Sequence, residues 1–232
     1  DWLTGQVAQA RDHAATAIDV AADLGAPWGR AVAVAYAAIT HQLRGDQAES
    51  LARAREIQRL STRYEFGYYQ HWGQILEGRL LGGTTGAGHI AEGIRRLREH
   101  EVGSRLPYYL ALLAETLLEA GRASEAAKVL AEAHAEAERH ADWWWLPELW
   151  RLQARQQPGP EGVGLLERAM AVAAEQGSIS LGLRAAVDLA ERLVMHGDRD
   201  HARALVTPLR TACVGDSPEL DAIDARLGRL LN

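Results

Sequence analysis

The sequence predicts an all-α fold, an α-solenoid of stacked helix-turn-helix units. The main evidence is a set of five glycines spaced 38 residues apart, Gly45, Gly83, Gly121, Gly159 and Gly197. A constant spacing of about 20 to 50 residues is typical of a stacked array, in which each unit buries its apolar face against its neighbours. Strong helix formers, alanine and leucine above all, fill the chain, while phenylalanine occurs once and runs of β-branched residues are nearly absent.

A second series of small residues follows the glycines, five positions later in each unit. Small side chains at one equivalent position allow two helices to approach closely. We therefore expect this position to be the contact between the two helices of each unit. Its members are Ser50, Gly88, Ala126, Gly164 and Ala202.

Helical periodicity and turn residues divide residues 1–232, taken as a single solenoid, into an unpaired helix, five helix pairs and a final helix. The unpaired helix, at 6–24 within segment 1–26, has alanines along one face, as expected for half of a truncated repeat. The helix pairs occupy 27–64, 65–102, 103–140, 141–178 and 179–212. Segment 213–232 holds the final helix, 218–231, which we interpret as the cap of the array.

Within each pair, the helix bounds follow from caps and from the glycine turns. Pro27 suits a first helical turn, and Asp46 and Ser124 are predicted N-caps. The predicted first helices are 27–44, 67–81, 107–120, 143–157 and 179–196. The predicted second helices are 46–64, 87–102, 124–139, 162–176 and 198–212.

Composition narrows the classes of function. The net charge is -6 and arginines are scattered among carboxylates, which argues against a nucleic-acid surface. The longest apolar stretch, 31–39, is far shorter than the roughly 20 residues that cross a bilayer, so we expect no membrane partner. Cys213 is the only cysteine, so no internal disulfide forms, and we expect a cytoplasmic protein. Because the chain begins with Asp1 rather than methionine, we expect it to be part of a larger protein.

No motif in the sequence carries a recognisable chemistry. The glycine-rich segment 82–89 lacks the lysine and the preceding strand of a phosphate-binding loop, and we interpret it as a turn. His134 and His140 lie six positions apart on a predicted helix, which turns them about 120° away from each other. Arg55, Arg59 and Arg63 form a stripe that is more typical of a solvated face than of a nucleic-acid contact. We assign no catalytic residue, no metal ligand and no cofactor.

Helix, short turn and helix at a 38-residue period look like a right-handed solenoid of tetratricopeptide-like repeats. Four segments, 107–115, 121–126, 148–152 and 183–190, look like one recurrent pattern. The pattern resembles the C-terminal tetratricopeptide region of bacterial multidomain signalling proteins, which join a class III adenylyl or guanylyl cyclase, or a helix-turn-helix regulator, to an AAA-type ATPase. The resemblance implies a regulatory or scaffolding region, with the catalytic machinery elsewhere in the parent protein.

Aromatic residues gather at the starts of the predicted first helices, where the concave face of such an array lies. Core packing is one interpretation of these rings, and a binding face is the other. Three consecutive tryptophans on a helix would span about 200°, so at least one should reach a groove or the surface unless the segment is not yet helical. The candidate binding residues are Tyr69, Trp72, Tyr109, Trp143, Trp144 and Trp145.

Two hypotheses of function follow. The first is a non-enzymatic interaction module that binds a protein segment or other domains of the parent chain on its concave face. The second is a sensor of a small-molecule inducer, with Tyr69, Trp72, Tyr109 and Trp145 as the walls of a pocket. The sequence leaves homodimer formation and the identity of partner or ligand open.

Overall fold

The computed structural model describes residues 1–99 and 105–231, and within these ranges the chain forms twelve α-helices and no strand. The first six are α1 Val7–Asp23, α2 Pro27–Arg44, α3 Gln47–Tyr64, α4 Gly67–Leu81, α5 Gly83–Glu99 and α6 Leu106–Glu119. The others are α7 Ala123–His140, α8 Leu146–Ala154, α9 Pro160–Glu175, α10 Ile179–Met195, α11 Arg199–Ala212 and α12 Pro218–Leu231. The predicted all-α class is confirmed. No helix in these ranges is both long and apolar enough to span a bilayer.

Most predicted helices agree with the structure to within two residues, but two do not. Helix α5 begins at Gly83, so the segment predicted as a glycine-rich turn is already helical. Helix α8 is much shorter than predicted, because it begins after the three tryptophans and ends before the Pro158–Pro160 break. The predicted end of the second helix of pair 65–102 lies outside the described residues.

Asp46 occupies the N-cap position of α3 as predicted but its side chain does not cap the helix, and the predicted cap Ser124 is wrong. The carboxylate of Asp46 caps no backbone N–H, because it accepts hydrogen bonds from Arg44 Nε at 2.7 Å and His41 Nδ1 at 3.1 Å instead. Ser124 lies inside α7, whose N-cap is Arg122. Pro27 does occupy the first turn of α2.

Four of the five spaced glycines lie between two paired helices, and Gly83 is the first residue of α5. Gly45, Gly83, Gly121 and Gly197 have φ values of 80°, 57°, 74° and 86°. This left-handed conformation strains any residue with a Cβ, which explains the choice of glycine. Gly159 has φ -90° and serves as the N-cap of α9.

The second series of small residues makes the expected contact in only three units. Ser50, Ala126 and Ala202 are fully buried. Gly88 and Gly164 are exposed, and a Cβ at either would meet nothing within 4 Å.

In those two units the close approach lies two residues earlier. A Cβ at Gly86 would lie 2.3 Å from the carbonyl oxygen of Gly78, and one at Gly162 would lie 1.9 Å from that of Gln157. The shift arises because α5 and α9 begin closer to their turn glycines than α3, α7 and α11 do.

Consecutive helices pack against each other, and the first helices of the pairs also contact one another. Contacts run from α2 to α4, α6, α8 and α10 in turn. Helix α12 contacts both α10 and α2, so these six helices form a closed ring of contacts. Helix α6 is buried on nearly all sides, in keeping with its apolar sequence LPYYLALLAETLLE. A cap of an open array would contact only its nearest unit.

The two ends of the chain meet beside this ring. Val7 N–H donates to the carbonyl of Val214 at 3.0 Å, and Val214 N–H donates to that of Gly5 at 2.8 Å. The Arg44 side chain is only 2% exposed and donates to the carbonyls of Val7 and Asp216. The first six residues and the segment before α12 are therefore held to each other and to the end of α2.

Candidate functional site

A cavity of about 480 Å³ lies inside the ring of six helices. Every helix of the ring contributes side chains to its wall. Representative lining residues, one from each helix in chain order, are Gln42, Arg79, Glu115, Arg151, Asp188 and Arg226. The cavity is the point at which the first helices of all units converge.

One charged lining residue from each of five helices forms a series of alternating sign, and α8, α10 and α12 each also contribute a residue of the opposite charge. The order is Arg79 on α4, Glu115 on α6, Arg151 on α8, Asp188 on α10 and Arg226 on α12. Arg79 and Glu115 are 36 residues apart, and Arg151 and Asp188 are 37 apart. Both separations lie close to the predicted spacing of 38 residues. Sequence reasoning missed this series, although charges of alternating sign at nearly the repeat spacing could have revealed it.

Ion pairs join the ring across neighbouring helices, beginning between α4 and α6. The Arg79 guanidinium lies 2.9 Å from a Glu115 carboxylate oxygen and 2.8 Å from one of Glu119. Both Glu115 oxygens face cations, because the other lies 3.6 Å from Arg151 on α8. Burial alone would lower the pKa of Arg79, but the two glutamates outweigh it and raise that pKa above its ordinary value.

The series continues between α8, α10 and α12. Arg151 binds Glu148 through two hydrogen bonds of 2.8 Å and donates a third, also 2.8 Å, to Asp188. Asp188 in turn lies 2.8 Å from Arg226. A second route runs from Glu148 to Arg184 at 3.4 Å and from Arg184 to Glu219 at 2.5 Å. Charged side chains thus cross four consecutive helix contacts.

Glu148 is the most deeply buried acid of this cavity, at 3% exposure. Burial would raise the pKa of its carboxyl group, but the guanidinium groups of Arg151 and Arg184 outweigh that effect and hold the pKa at about 2. Glu148 is therefore a carboxylate throughout the neutral range. A buried ion pair contributes little net stability, since the cost of removing both charges from water can exceed their attraction. Stabilisation of the fold alone therefore does not explain why so many charged side chains line this cavity.

The first residues of the chain cover one side of the cavity wall. Trp2 is 4% exposed and its indole N–H donates to Glu219 at 2.9 Å. The Arg184 guanidinium lies over the Trp2 ring at 4.7 Å. The carbonyl of Trp2 accepts a hydrogen bond from the Ser180 hydroxyl at 2.5 Å, and that of Leu3 accepts one from Ser180 N–H at 3.2 Å. Residues of the wall and residues of the N-terminal segment are therefore in direct contact.

Four of the six aromatic candidates are core residues. Tyr69 is 7% exposed, Trp145 is 1% exposed, and Trp72 and Tyr109 are not exposed at all. Their rings pack along successive first helices, with centroids 5.6 Å apart for Tyr69 and Trp72 and 6.1 Å apart for Trp72 and Tyr109. Of the four residues predicted to wall a pocket, only Trp145 lines the central cavity. Aromatic rings and charges occupy different turns of the same helices, and the charges face the cavity.

The three consecutive tryptophans lie in a turn ahead of α8, which explains their different environments. Trp145 is the N-cap of α8 and packs against Tyr108, with ring centroids 5.1 Å apart. Trp144 is half-buried and Trp143 is 43% exposed, so one of the three does reach the surface. Trp143 and Trp144 line a separate shallow cavity with Leu3.

Other sequence candidates have ordinary partners. His140 Nε2 lies 3.2 Å from a Glu136 oxygen, and the His134 ring packs on Trp150. In residues 1–99 and 105–231 no three potential metal ligands come together. Arg55 pairs with Glu77 at 2.9 Å across α3 and α4.

Comparison with known proteins identifies no relative. No protein-family model matches the sequence, and no curated protein shows significant similarity to it. The resemblance to tetratricopeptide regions of bacterial signalling proteins therefore remains a hypothesis.

Proposed function

We propose that this chain is a non-catalytic regulatory module that senses a small polar molecule bound in the central cavity. The observation that supports this function best is the convergence of charged side chains from α4, α6, α8, α10 and α12 on one cavity of about 480 Å³. Ligand pockets of drug-sized molecules typically measure about 300 to 1,000 Å³.

The placement of the aromatic residues favours the small molecule over a bound peptide. Tyr69, Trp72 and Tyr109 are buried in the core and present no face to a peptide in this conformation. The contact between α12 and α2 also closes the ring, whereas a concave groove for a peptide would require an open array. A compact ligand fits a cavity of about 480 Å³ better than an extended segment does.

We also propose a repeat architecture and a parent protein for this chain. The chain is a right-handed array of tetratricopeptide-like units with a 38-residue period, and it belongs to a larger bacterial signalling or transcription-regulating protein. Ion pairs that join residues 36 and 37 apart support equivalent positions in successive units. The first helices begin at residues 27, 67, 106, 146 and 179, so individual units depart from an even spacing.

A steric block of the cavity tests the proposed function. Ala222 lies on α12, is exposed and lines the cavity, so Ala222→Trp fills the space while leaving the core side chains intact. Sugars, nucleotides, organic acids, amines and amino acids are screened by thermal shift against the purified chain. A ligand at 100 times its dissociation constant should stabilise the protein by about 2.7 kcal/mol.

Ala225→Trp is the matched control, because Ala225 is also exposed on α12 but lies outside the cavity wall. We expect Ala222→Trp to abolish the ligand-induced shift and Ala225→Trp to retain it. A screen in which no compound binds, or binding that both variants retain, contradicts the proposal.

Binding of a protein partner is a second candidate, and an exposed aromatic patch favours it. Trp28 is 53% exposed and Tyr64 is 38% exposed, and both pack against Phe66 with ring centroids 5.1 Å and 5.8 Å away. Exposed aromatic anchors are common at protein interfaces. Titration of the chain with separately purified domains of its parent protein tests this candidate, and Trp28→Ala should weaken any binding that uses the patch.

A further inference from the structure

We infer that the ligand of the central cavity is a small zwitterion of the α-amino-acid type, with a positive and a negative group attached to one carbon atom. This inference rests on the proposed function and names the chemical class of its ligand. It follows from the order of the charges in the wall and from the hydrogen-bonding groups that the ion pairs leave open.

The wall contains nearly equal numbers of opposite charges. Four guanidinium groups and five carboxylates line the cavity in the described chain. The two signs are interspersed, and every guanidinium has a carboxylate within 4 Å. A ligand with only negative charge would meet carboxylates next to each arginine, and a ligand with only positive charge would meet the reverse. A ligand that has both charges can pair with both signs of such a wall at two adjacent points.

Glu115 and Arg151 form the place where the series is open. The Oε1 atom of Glu115 lies 3.6 Å from Arg151 Nη2 and 3.8 Å from Arg155 Nη1. Both distances exceed a hydrogen bond, so this carboxylate oxygen retains its capacity to accept one. Arg151 uses three N–H groups on Glu148 and Asp188, whereas a guanidinium has five. Donor and acceptor capacity therefore remain side by side.

The separation of these two groups fits an α-amino acid. Its ammonium and carboxylate are attached to one carbon atom, so they lie a few bonds apart, close to the 3.6 Å between Glu115 Oε1 and Arg151 Nη2. The ammonium would donate to Glu115, and the carboxylate would accept from Arg151. Leu112, Leu152, Val187 and Ile223 provide apolar surface for a side chain. The ligand would thus make one charge-assisted hydrogen bond to Glu115 and one to Arg151, in place of the 3.6 Å contact between these two side chains.

The experiment is calorimetric titration of the intact chain with the twenty standard L-amino acids. Each one that binds is repeated as its N-acetyl derivative, which lacks the positive charge, and as its amide, which lacks the negative charge. We expect at least one amino acid to bind with one site per chain. Both derivatives should bind at least tenfold more weakly, since each leaves one charged wall group without its partner.

Variants locate the site. Glu115→Gln should weaken binding of the amino acid at least tenfold. Glu161→Gln, at an exposed position of α9 outside the cavity, should not change it. Circular dichroism and the unfolding midpoint are recorded for Glu115→Gln to show that it remains folded, and Ala222→Trp provides a second variant that leaves the ion pairs intact.

The outcomes separate this inference from the proposed function. If only sugars, nucleotides, simple anions or simple amines bind, and Ala222→Trp blocks them, the sensor function stands and the zwitterion is wrong. The same holds if a derivative that lacks one charge binds as tightly as its parent amino acid. If no compound of any class binds, both are wrong.

Discussion

The indole N–H of Trp2 donates a hydrogen bond to Glu219 at 2.9 Å, although 217 residues separate the two in the chain. Glu219 also accepts from Arg184 at 2.5 Å, and Arg184 lies over the Trp2 ring. Arg184 and Glu219 line the central cavity. The N-terminal segment is thus held by side chains that a ligand in the cavity would also contact.

Removal of the Trp2 side chain should destabilise the whole protein. Trp2→Ala leaves a cavity beside Trp145, whose ring centroid lies 6.3 Å away, and leaves Glu219 without one of its donors. We expect a loss of about 3 to 5 kcal/mol in the free energy of unfolding, measured by urea denaturation. Trp143→Ala, at a 43% exposed tryptophan, is the control and should cost far less. Equal losses in the two variants would show that the N-terminal segment contributes little.

Arg44 should control the contact between the two ends of the chain. It donates to Asp46 at 2.7 Å, to the Asp216 carbonyl at 3.1 Å and to the Val7 carbonyl. Arg44→Met removes a donor from the buried Val7 carbonyl, from half-buried Asp46 and from exposed Asp216, and loss of the buried partner costs about 1 to 3 kcal/mol. Hydrogen exchange should accelerate at the amides of Val7 and Val214, which bridge the two ends.

Two further variants sharpen the Arg44 test. Arg44→Lys retains the charge but lacks the planar fork that reaches several acceptors, so we expect it to recover little of the protection. Arg59→Met, at an exposed position of α3, should leave exchange at Val7 and Val214 unchanged. Full protection in Arg44→Met would mean that the paired backbone segments hold the ends without the side chain.

Stability should fall in acid through Glu148. Its pKa is about 2 in the folded protein, below the value of about 4.3 expected for an unfolded chain. A lowered folded pKa stabilises the fold above the unfolded pKa, and this contribution is lost as the pH falls through about 2. The expected contribution is about 3 kcal/mol at neutral pH. The free energy of unfolding, measured from pH 7 down to pH 2, should decline below about pH 4.5.

Glu148→Gln provides the comparison for this acid effect. The amide does not ionise and leaves Arg151 without its bidentate partner, so the variant should lose about 3 kcal/mol at neutral pH. Its stability should also depend less on pH between 4.5 and 2. Some dependence should remain, because the pKa values of Asp46, Glu56 and Glu77 are also lowered. Burial raises these pKa values, but hydrogen bonds from Arg44, Arg30 and Gln58, respectively, together with nearby guanidinium charges, outweigh it. An unchanged pH dependence would contradict the role assigned to Glu148.

Two glycine substitutions should have opposite signs. A Cβ at Gly73 in α4 would lie 2.6 Å from the carbonyl oxygen of Ala54 and 2.7 Å from Ile57 Cγ2. Gly73→Ala should therefore separate α3 from α4 and cost about 1 to 3 kcal/mol. Gly88→Ala lies in α5 with nothing within 4 Å, so it should stabilise the protein by up to about 1 kcal/mol through helix propensity. Thermal unfolding of the two variants measures both effects, and stabilisation by Gly73→Ala would contradict the close approach.

Much of the helix pattern could be predicted, because its signals are local. Helices α2 and α4 begin and end where the sequence predicts. In α2, Pro27 favours the first turn and Gly45 favours a left-handed C-terminus. Helix α8 was overestimated because Trp143, Trp144 and Trp145 are compatible with a helix on their own. Their positions depend on contacts with Tyr108 and Trp2, which no local pattern contains.

The candidate site was predicted less well than the helices. Aromatic residues at the starts of first helices indicate either a core or a binding face, and the packing of Trp72 between Tyr69 and Tyr109 decides for the core. Charges such as Glu148 are usually solvated on a helix surface, so sequence reasoning assigned them no role. Only the ring of helices buries Glu148 beside Arg151 and Arg184 in the cavity wall.

The sequence by itself determined the all-α class, most helix bounds and the glycine turns, because each depends on residues within one or two helical turns of one another. The tertiary structure decided that α12 contacts α2, that the chain ends meet at Arg44 and that the lining charges enclose a cavity. These features depend on contacts between residues far apart in the chain.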